Sequence, residues 1–308
     1  MQNNNTPLII AIIVILVIVG FTSKDNKPMN TTTDTSFFGK DFGQSDTKNK
    51  SATKENIEYN VKKVEERIKT LEEEVDSLVE AEKRSPYSGI VSIIKVQDLG
   101  SSDPNREYLV LSMSKNNTEK ISITGWKIKS DTSGKTASIG NGTLVYYPNI
   151  ALQNEPIILS PGDTAIISSG SSPIGLTFKT NKCTGYLAQF NNFYPYIRQE
   201  CPSPKDENIN FVPQTPVNFP CLDYIEALPR CQINTRPLRT NFSPECHAFI
   251  AEKISYQGCL SLHRNDKDFY GDEWRIYLRQ TESLWLNRRE TIRLIDENGK
   301  TVSTYVKS

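Results

Sequence analysis

ISITGWKI, residues Ile121 to Ile128, is the stretch on which the fold turns. Ile121, Ile123 and Ile128 surround a Gly-Trp step, a composition that suits a pleated, half-buried surface better than a helix. A tryptophan ring buries about 150–250 Å², so Trp126 on such a strand needs a second sheet to pack against. The chain on either side repeats the grammar. Gly89 to Val96, Glu107 to Met113, Thr143 to Tyr147, Pro156 to Leu159 and Thr164 to Ser168 are short, apolar and separated by Asn, Gly, Ser and Pro. Trp274 to Leu278, Thr291 to Ile295 and Thr301 to Tyr305 continue it near the C-terminus. Leu159-Ser160-Pro161-Gly162-Asp163 supplies a turn, and the Asn298-Gly299 step marks a hairpin. Many short strands with irregular turns predict a mainly β, antiparallel sandwich over residues 85–308.

Four pieces occur in a set order: Glu107-Tyr108 opening a strand, Ser122 to Ile128, Leu159 to Ile167, and Trp285-x-Asn287 followed by Thr291 to Gly299. In that order they resemble the lamin-tail domain family. The resemblance covers about Ser85 to Lys182 and Asp272 to Ser308. It implies an immunoglobulin-like β-sandwich in a prokaryotic, membrane-anchored protein, with Trp126 and Trp285 as core anchors and no catalytic role.

The segment 183–271 departs from that pattern and reads as an insertion. It holds all six cysteines, Cys183, Cys201, Cys221, Cys231, Cys246 and Cys259, with 17, 19, 9, 14 and 12 residues between them. Metal sites use close pairs, so this even, widely spaced set predicts up to three disulfides with 15 open pairings. Cys183–Cys201 is the most local guess, closing over the aromatic run between them. Disulfides persist outside the cytoplasm, which places the body of the chain on the extracytoplasmic side. Nine prolines leave room only for short helices, expected at Leu222 to Leu228 and, after an N-cap at Ser243, from Pro244 to about Lys253. So small a subdomain is expected to be an ordered cap in which cross-links substitute for core.

The N-terminal part is built differently. Leu8 to Phe21 is an unbroken apolar run within an uncharged stretch from Met1 to Ser23. Asn5 to Ser23, nineteen residues at about 1.5 Å each, spans about 28 Å, so residues 1–23 are expected to be an uncleaved transmembrane anchor. Residues 24–52 are polar and are expected to be a disordered linker. Residues 53–84 carry apolar residues at alternating steps of four and three: Ile57, Val61, Val64, Ile68, Leu71, Val75 and Leu78. That heptad pattern predicts a coiled-coil-like helix and a parallel homodimer through residues 57–78; a lone helix packed on its own domain, or a charged spacer, is the competing reading.

Net charge is zero and there are only two histidines, His247 and His263. No phosphate loop, G-x-S-x-G, H-E-x-x-H or dinucleotide fingerprint occurs. The Cys246-His247 pair with Cys259 and His263 does not suit a thiolate nucleophile, and NDKDFYGDEW fails the spacing of a calcium loop. No catalytic residue, metal or cofactor is expected. Arg275, Tyr277 and Arg279 share one strand face and, with Arg288 and Arg289, form a candidate binding surface. The resulting expectation is a non-enzymatic, membrane-anchored cell-surface module that binds a surface protein or glycan, or organises the envelope. Envelope-associated DNA binding through the C-terminal arginines is an alternative that net charge does not favour. A further alternative is an accessory domain of an extracellular hydrolytic system.

Overall fold

The computed structural model describes residues 48–147, 155–207 and 212–307. The expected anchor, residues 1–23, lies outside them. Among the described residues no helix is long and apolar enough to cross a membrane. The chain divides at Arg67 into two units, and the described part of the first belongs to helix α1, Lys48–Lys83. This helix starts five residues before Thr53, so the C-terminal end of the expected linker is helical. Once nucleated, a helix extends cheaply through Asn49 to Ala52, where neither Gly nor Pro intervenes. Residues 24–47 lie outside the described part.

The second unit is mainly β. Eleven strands are described: β1 (Val91–Gln97), β2 (Tyr108–Met113), β3 (Ile121–Ser122), β4 (Lys127–Ser130), β5 (Thr136–Ser138), β6 (Ile158–Leu159), β7 (Thr164–Ser168), β8 (Phe178–Asn181), β9 (Tyr270–Tyr277), β10 (Glu290–Ile295) and β11 (Thr301–Lys307). One sheet has the order β1-β2-β7-β9-β8, a second β11-β10-β4-β5, and β3 and β6 form a small third. Leu109, Leu111, Ile167 and Ile276 from the first sheet share a core with Ile128, Ile292 and Leu294 from the second. This is a sandwich arrangement, with alternating residues of both sheets turned inward.

Two expectations need correction. The stretch Ile121 to Ile128 is not one strand, because Gly125 has φ +86° and its N–H donates to the Ile139 carbonyl. That left-handed step sends β3 to pair with β6 and β4 into the second sheet. Nor is the sandwich wholly antiparallel: β7 and β9 run parallel, with Thr164 opposite Glu273 and Ser168 opposite Tyr277. Parallel neighbours need a crossover, and the chain between Ser169 and Phe269 provides it. Thr143 to Tyr147 forms isolated bridges, Thr143 to Phe178 among them, and no strand.

Trp126 is fully buried, and its Nε1 donates to Glu297 Oε2 at 2.6 Å. Trp285 lies in the same core. Glu107 is also fully buried. Its Oε1 accepts from the backbone N–H of Gly100 (3.0 Å) and Trp285 (3.3 Å), and its Oε2 from Ser169 Oγ (2.6 Å) and the Leu284 N–H (2.8 Å). Four donors converge on one carboxylate, so a single side chain ties three loops to the start of β2.

The insertion is ordered. A 3₁₀ helix at Thr184–Gln189, another at Pro204–Asp206, and helices α2 (Phe219–Glu226), α3 (Pro244–Lys253) and α4 (Tyr256–His263) build it. Ser243 caps α3 as its sequence suggests, with Oγ accepting from the Cys246 N–H. The insertion has two small cores. Tyr186, Phe193 and Leu260 pack on Phe178 and Tyr277 of the first sheet, whereas Val212, Ile225, Phe242 and Phe249 form a separate cluster.

Candidate functional site

All six cysteines are paired: Cys183–Cys259, Cys201–Cys231 and Cys221–Cys246. The local guess of Cys183–Cys201 is therefore wrong. Cys183 follows β8, and Cys259 on α4 returns to it over 76 residues, so the bridge clamps the far end of the insertion to the sheet edge. Cys201 instead meets Cys231 beside Gly185, where a Cβ would collide with both sulfurs. The disulfides stand at the centres of the two small cores: four of the sulfurs in the sheet-facing one, two in the other.

Arg275 on β9 is not an exposed binding residue; it is 3% exposed. Its Nε donates to Glu273, and its two terminal nitrogens donate to the carbonyls of Pro195 and Tyr196. The planar fork thus holds one cap loop from beneath, a task that a lysine's single point charge does not match. Tyr277, on the same sheet face, is buried in the cap core, and burial pushes its hydroxyl pKa up to about 12. Arg279 sits past the strand end with φ +55° and reaches the Gly175 carbonyl. Arg279, Arg288 and Arg289 are exposed, but no triplet of 275, 277 and 279 forms, because Arg275 and Tyr277 are buried against the cap while Arg279 lies beyond the strand.

What the Arg275 strut presents is Tyr196, 83% exposed, one of the aromatic residues between Cys183 and Cys201. Its neighbour Tyr194 anchors the same loop. The Tyr194 hydroxyl donates to Asp98 Oδ2 at 2.8 Å, Arg106 lies 5.2 Å from its ring centroid, and Tyr108 meets it edge to face. Aspartate acceptance raises the Tyr194 pKa. Beside this loop runs a groove of about 290 Å³ whose walls include Lys182, Arg198, Glu200, Asp268, Asp272 and Glu273. Mixed charges and an exposed ring on a held loop equip this face for a polar ligand, with hydrogen-bonding groups in the groove and an apolar ring face near it.

Next to the groove, His263 lies between two carboxylates. Its Nδ1 is 2.9 Å from Asp266 Oδ2 and its Nε2 is 3.0 Å from both oxygens of Glu207. A neutral imidazole has one N–H, so carboxylates at both nitrogens select the imidazolium. Burial opposes that charge, but the hydrogen bonds and negative charges of Asp266 and Glu207 outweigh it and raise the His263 pKa. Lys182 in turn pairs with Asp266 (2.9 Å) and Asp268 (2.6 Å), which lowers both of their pKa values. Asp266, Asp268 and Glu273 of NDKDFYGDEW thus serve ion pairs, and among the described residues no group of three or more His, Cys, Asp or Glu is placed to hold a metal.

The chain matches no protein-family model. No curated protein matches it either. The functional reading therefore rests on the residues themselves.

Proposed function

We propose that this chain is a non-enzymatic, membrane-anchored module that works at the cell surface, with residues 68–308 on the extracytoplasmic side and residues 1–23 as the anchor. The observation that carries the reading is the pairing of all six cysteines into three buried disulfides. A cap whose two cores are each centred on cystine sulfurs is stable only where thiols stay oxidised. The two-sheet sandwich supports the finer reading of an immunoglobulin-like, lamin-tail-like domain, with the cap as its elaborated face.

The cap is the binding element in this reading, and a surface protein or glycan is its ligand. Tyr196 and the adjoining groove supply the contact, since a large amphipathic ring on a loop held by Arg275 is ordered before binding. The test is adhesion of the purified full chain to intact envelopes of the source cells. Tyr196→Ala should lower retention at least tenfold while leaving the melting temperature unchanged. Unchanged retention would remove the cap loop from the reading. Retention that collapses steeply with salt and follows added DNA would favour the nucleic-acid alternative.

A further inference from the structure

We infer that helix α1 is one strand of a parallel, in-register, two-stranded coiled coil, its partner being a second copy of this chain. The inference is independent of where the module is displayed. Val61, Val64, Ile68, Leu71 and Leu78 are 41–68% exposed, and Val75 is half-buried. Exposed apolar side chains recurring every four and three residues along a helix of 36 residues form an exposed apolar seam along it.

The flanking charges select the occupant and its direction. With Val61, Ile68 and Val75 at position a and Val64, Leu71 and Leu78 at d, position e holds Glu58, Glu65 and Glu72, and position g holds Asn60, Arg67 and Glu74. In a parallel in-register pair each g faces the e of the partner's next heptad. Arg67 then meets Glu72 of the second copy, twice per dimer by symmetry. Asn60 meets Glu65, Glu74 meets Val79, and no like-charged pair arises. An antiparallel pair with Val64 layered on Ile68 places Glu65 against Glu65, Glu58 against Glu72 and Arg67 against Arg67, all repulsive. β-branched residues at every a position with Leu71 and Leu78 at d specify two strands rather than three. Each stalk would carry two copies of the sandwich and cap, and paired weak contacts to one surface multiply into tight attachment.

A charge swap on the full chain in detergent micelles tests this. Arg67→Glu opposes two acidic residues at each contact, and Glu72→Arg opposes two basic ones. Each variant alone should dimerise roughly tenfold more weakly than wild type. Mixing the two, each with its own affinity tag, should restore wild-type affinity, because only in the heterodimer does an acidic side chain face a basic one at both contacts between positions 67 and 72. Co-capture of the two tags at wild-type strength, with weak association of each variant alone, is the expected result. A wild-type chain that is monomeric at hundreds of micromolar overturns the inference, as does a mixture no tighter than its components. Association unaffected by either swap assigns it to another surface and likewise overturns it.

Discussion

The Nε2 of His263 lies 3.0 Å from both carboxylate oxygens of Glu207, and this contact joins the two small cores of the cap. His263 ends α4, which packs in the sheet-facing core, while Glu207 follows the 3₁₀ helix that packs on α2 of the other. Asp266 holds the opposite nitrogen, and Lys182 and Asp268 stand behind Asp266. The His263 pKa is raised above its ordinary 6.5, so its stabilisation is complete below about pH 6.5 and is lost as pH rises through the folded value. Asp266, whose pKa is lowered, contributes above its ordinary 3.8 and loses that contribution as pH falls through its folded value. Melting temperatures of the full chain from about pH 5 to about pH 9 should therefore decline on the alkaline side. In His263→Gln that decline should flatten; an identical alkaline decline in the variant would refute the charged bridge.

Removing disulfides should rank by loop length. Cys183–Cys259 closes 76 residues and Cys221–Cys246 closes 25, so chain entropy assigns about 4–5 kcal/mol to the first and about 3–4 to the second. Paired Cys→Ala replacements followed by denaturant unfolding should show the first double variant to be the less stable by about 1 kcal/mol. The reverse order would mean that the bridges act mainly on the folded state.

Glu107→Gln keeps size and shape but turns an acceptor into a donor facing N–H or O–H groups. With four donors aimed at the carboxylate, the substitution should cost about 2–3 kcal/mol in urea unfolding. A loss below about 0.5 kcal/mol would show that the loops it ties are held by other contacts.

Trp126→Ala should cost about 3–5 kcal/mol, since the ring is fully buried between the sheets and its Nε1 pairs with Glu297. Glu297→Gln, which keeps an acceptor for the indole, should cost less than about 1 kcal/mol. Comparable losses in the two variants would shift the weight from ring packing to the hydrogen bond.

Arg275→Lys should leave the sheets folded but free the loop it holds, because a lysine cannot span the carbonyls of Pro195 and Tyr196 together. Hydrogen exchange at residues 196–198 should accelerate at least tenfold, with β2 and β10 unchanged. Exchange that accelerates throughout the molecule would identify Arg275 as a support of the whole sheet.

What was legible in the sequence was what local composition encodes. β2, β7, β10 and β11 are short runs rich in Val, Ile, Leu and Tyr set between turn residues, and Ser243-Pro244 announces α3 through local capping chemistry. β8 was missed because FKTN carries a single large apolar residue, and its pairing with β9 spans the whole insertion. The break at Gly125 was missed because only the partner of its N–H, Ile139, reveals which sheet each half joins. Parity placed Arg275 and Tyr277 on one face correctly, yet parity does not say that a cap folds over it. The disulfide partners depend on the same tertiary return of α4 to the edge of β8, and no spacing rule contains that.

The central claim, a cap that is oxidised because the body of the chain lies outside the cytoplasm, is tested most directly by trapping thiols during lysis of cells that make the full chain. Digestion without reductant and mass spectrometry then read the pairing. The account predicts three linked peptide pairs, Cys183 with Cys259, Cys201 with Cys231 and Cys221 with Cys246, and no alkylated cysteine. Recovery of these six cysteines as alkylated, unlinked peptides would contradict both the oxidised cap and its place outside the cytoplasm.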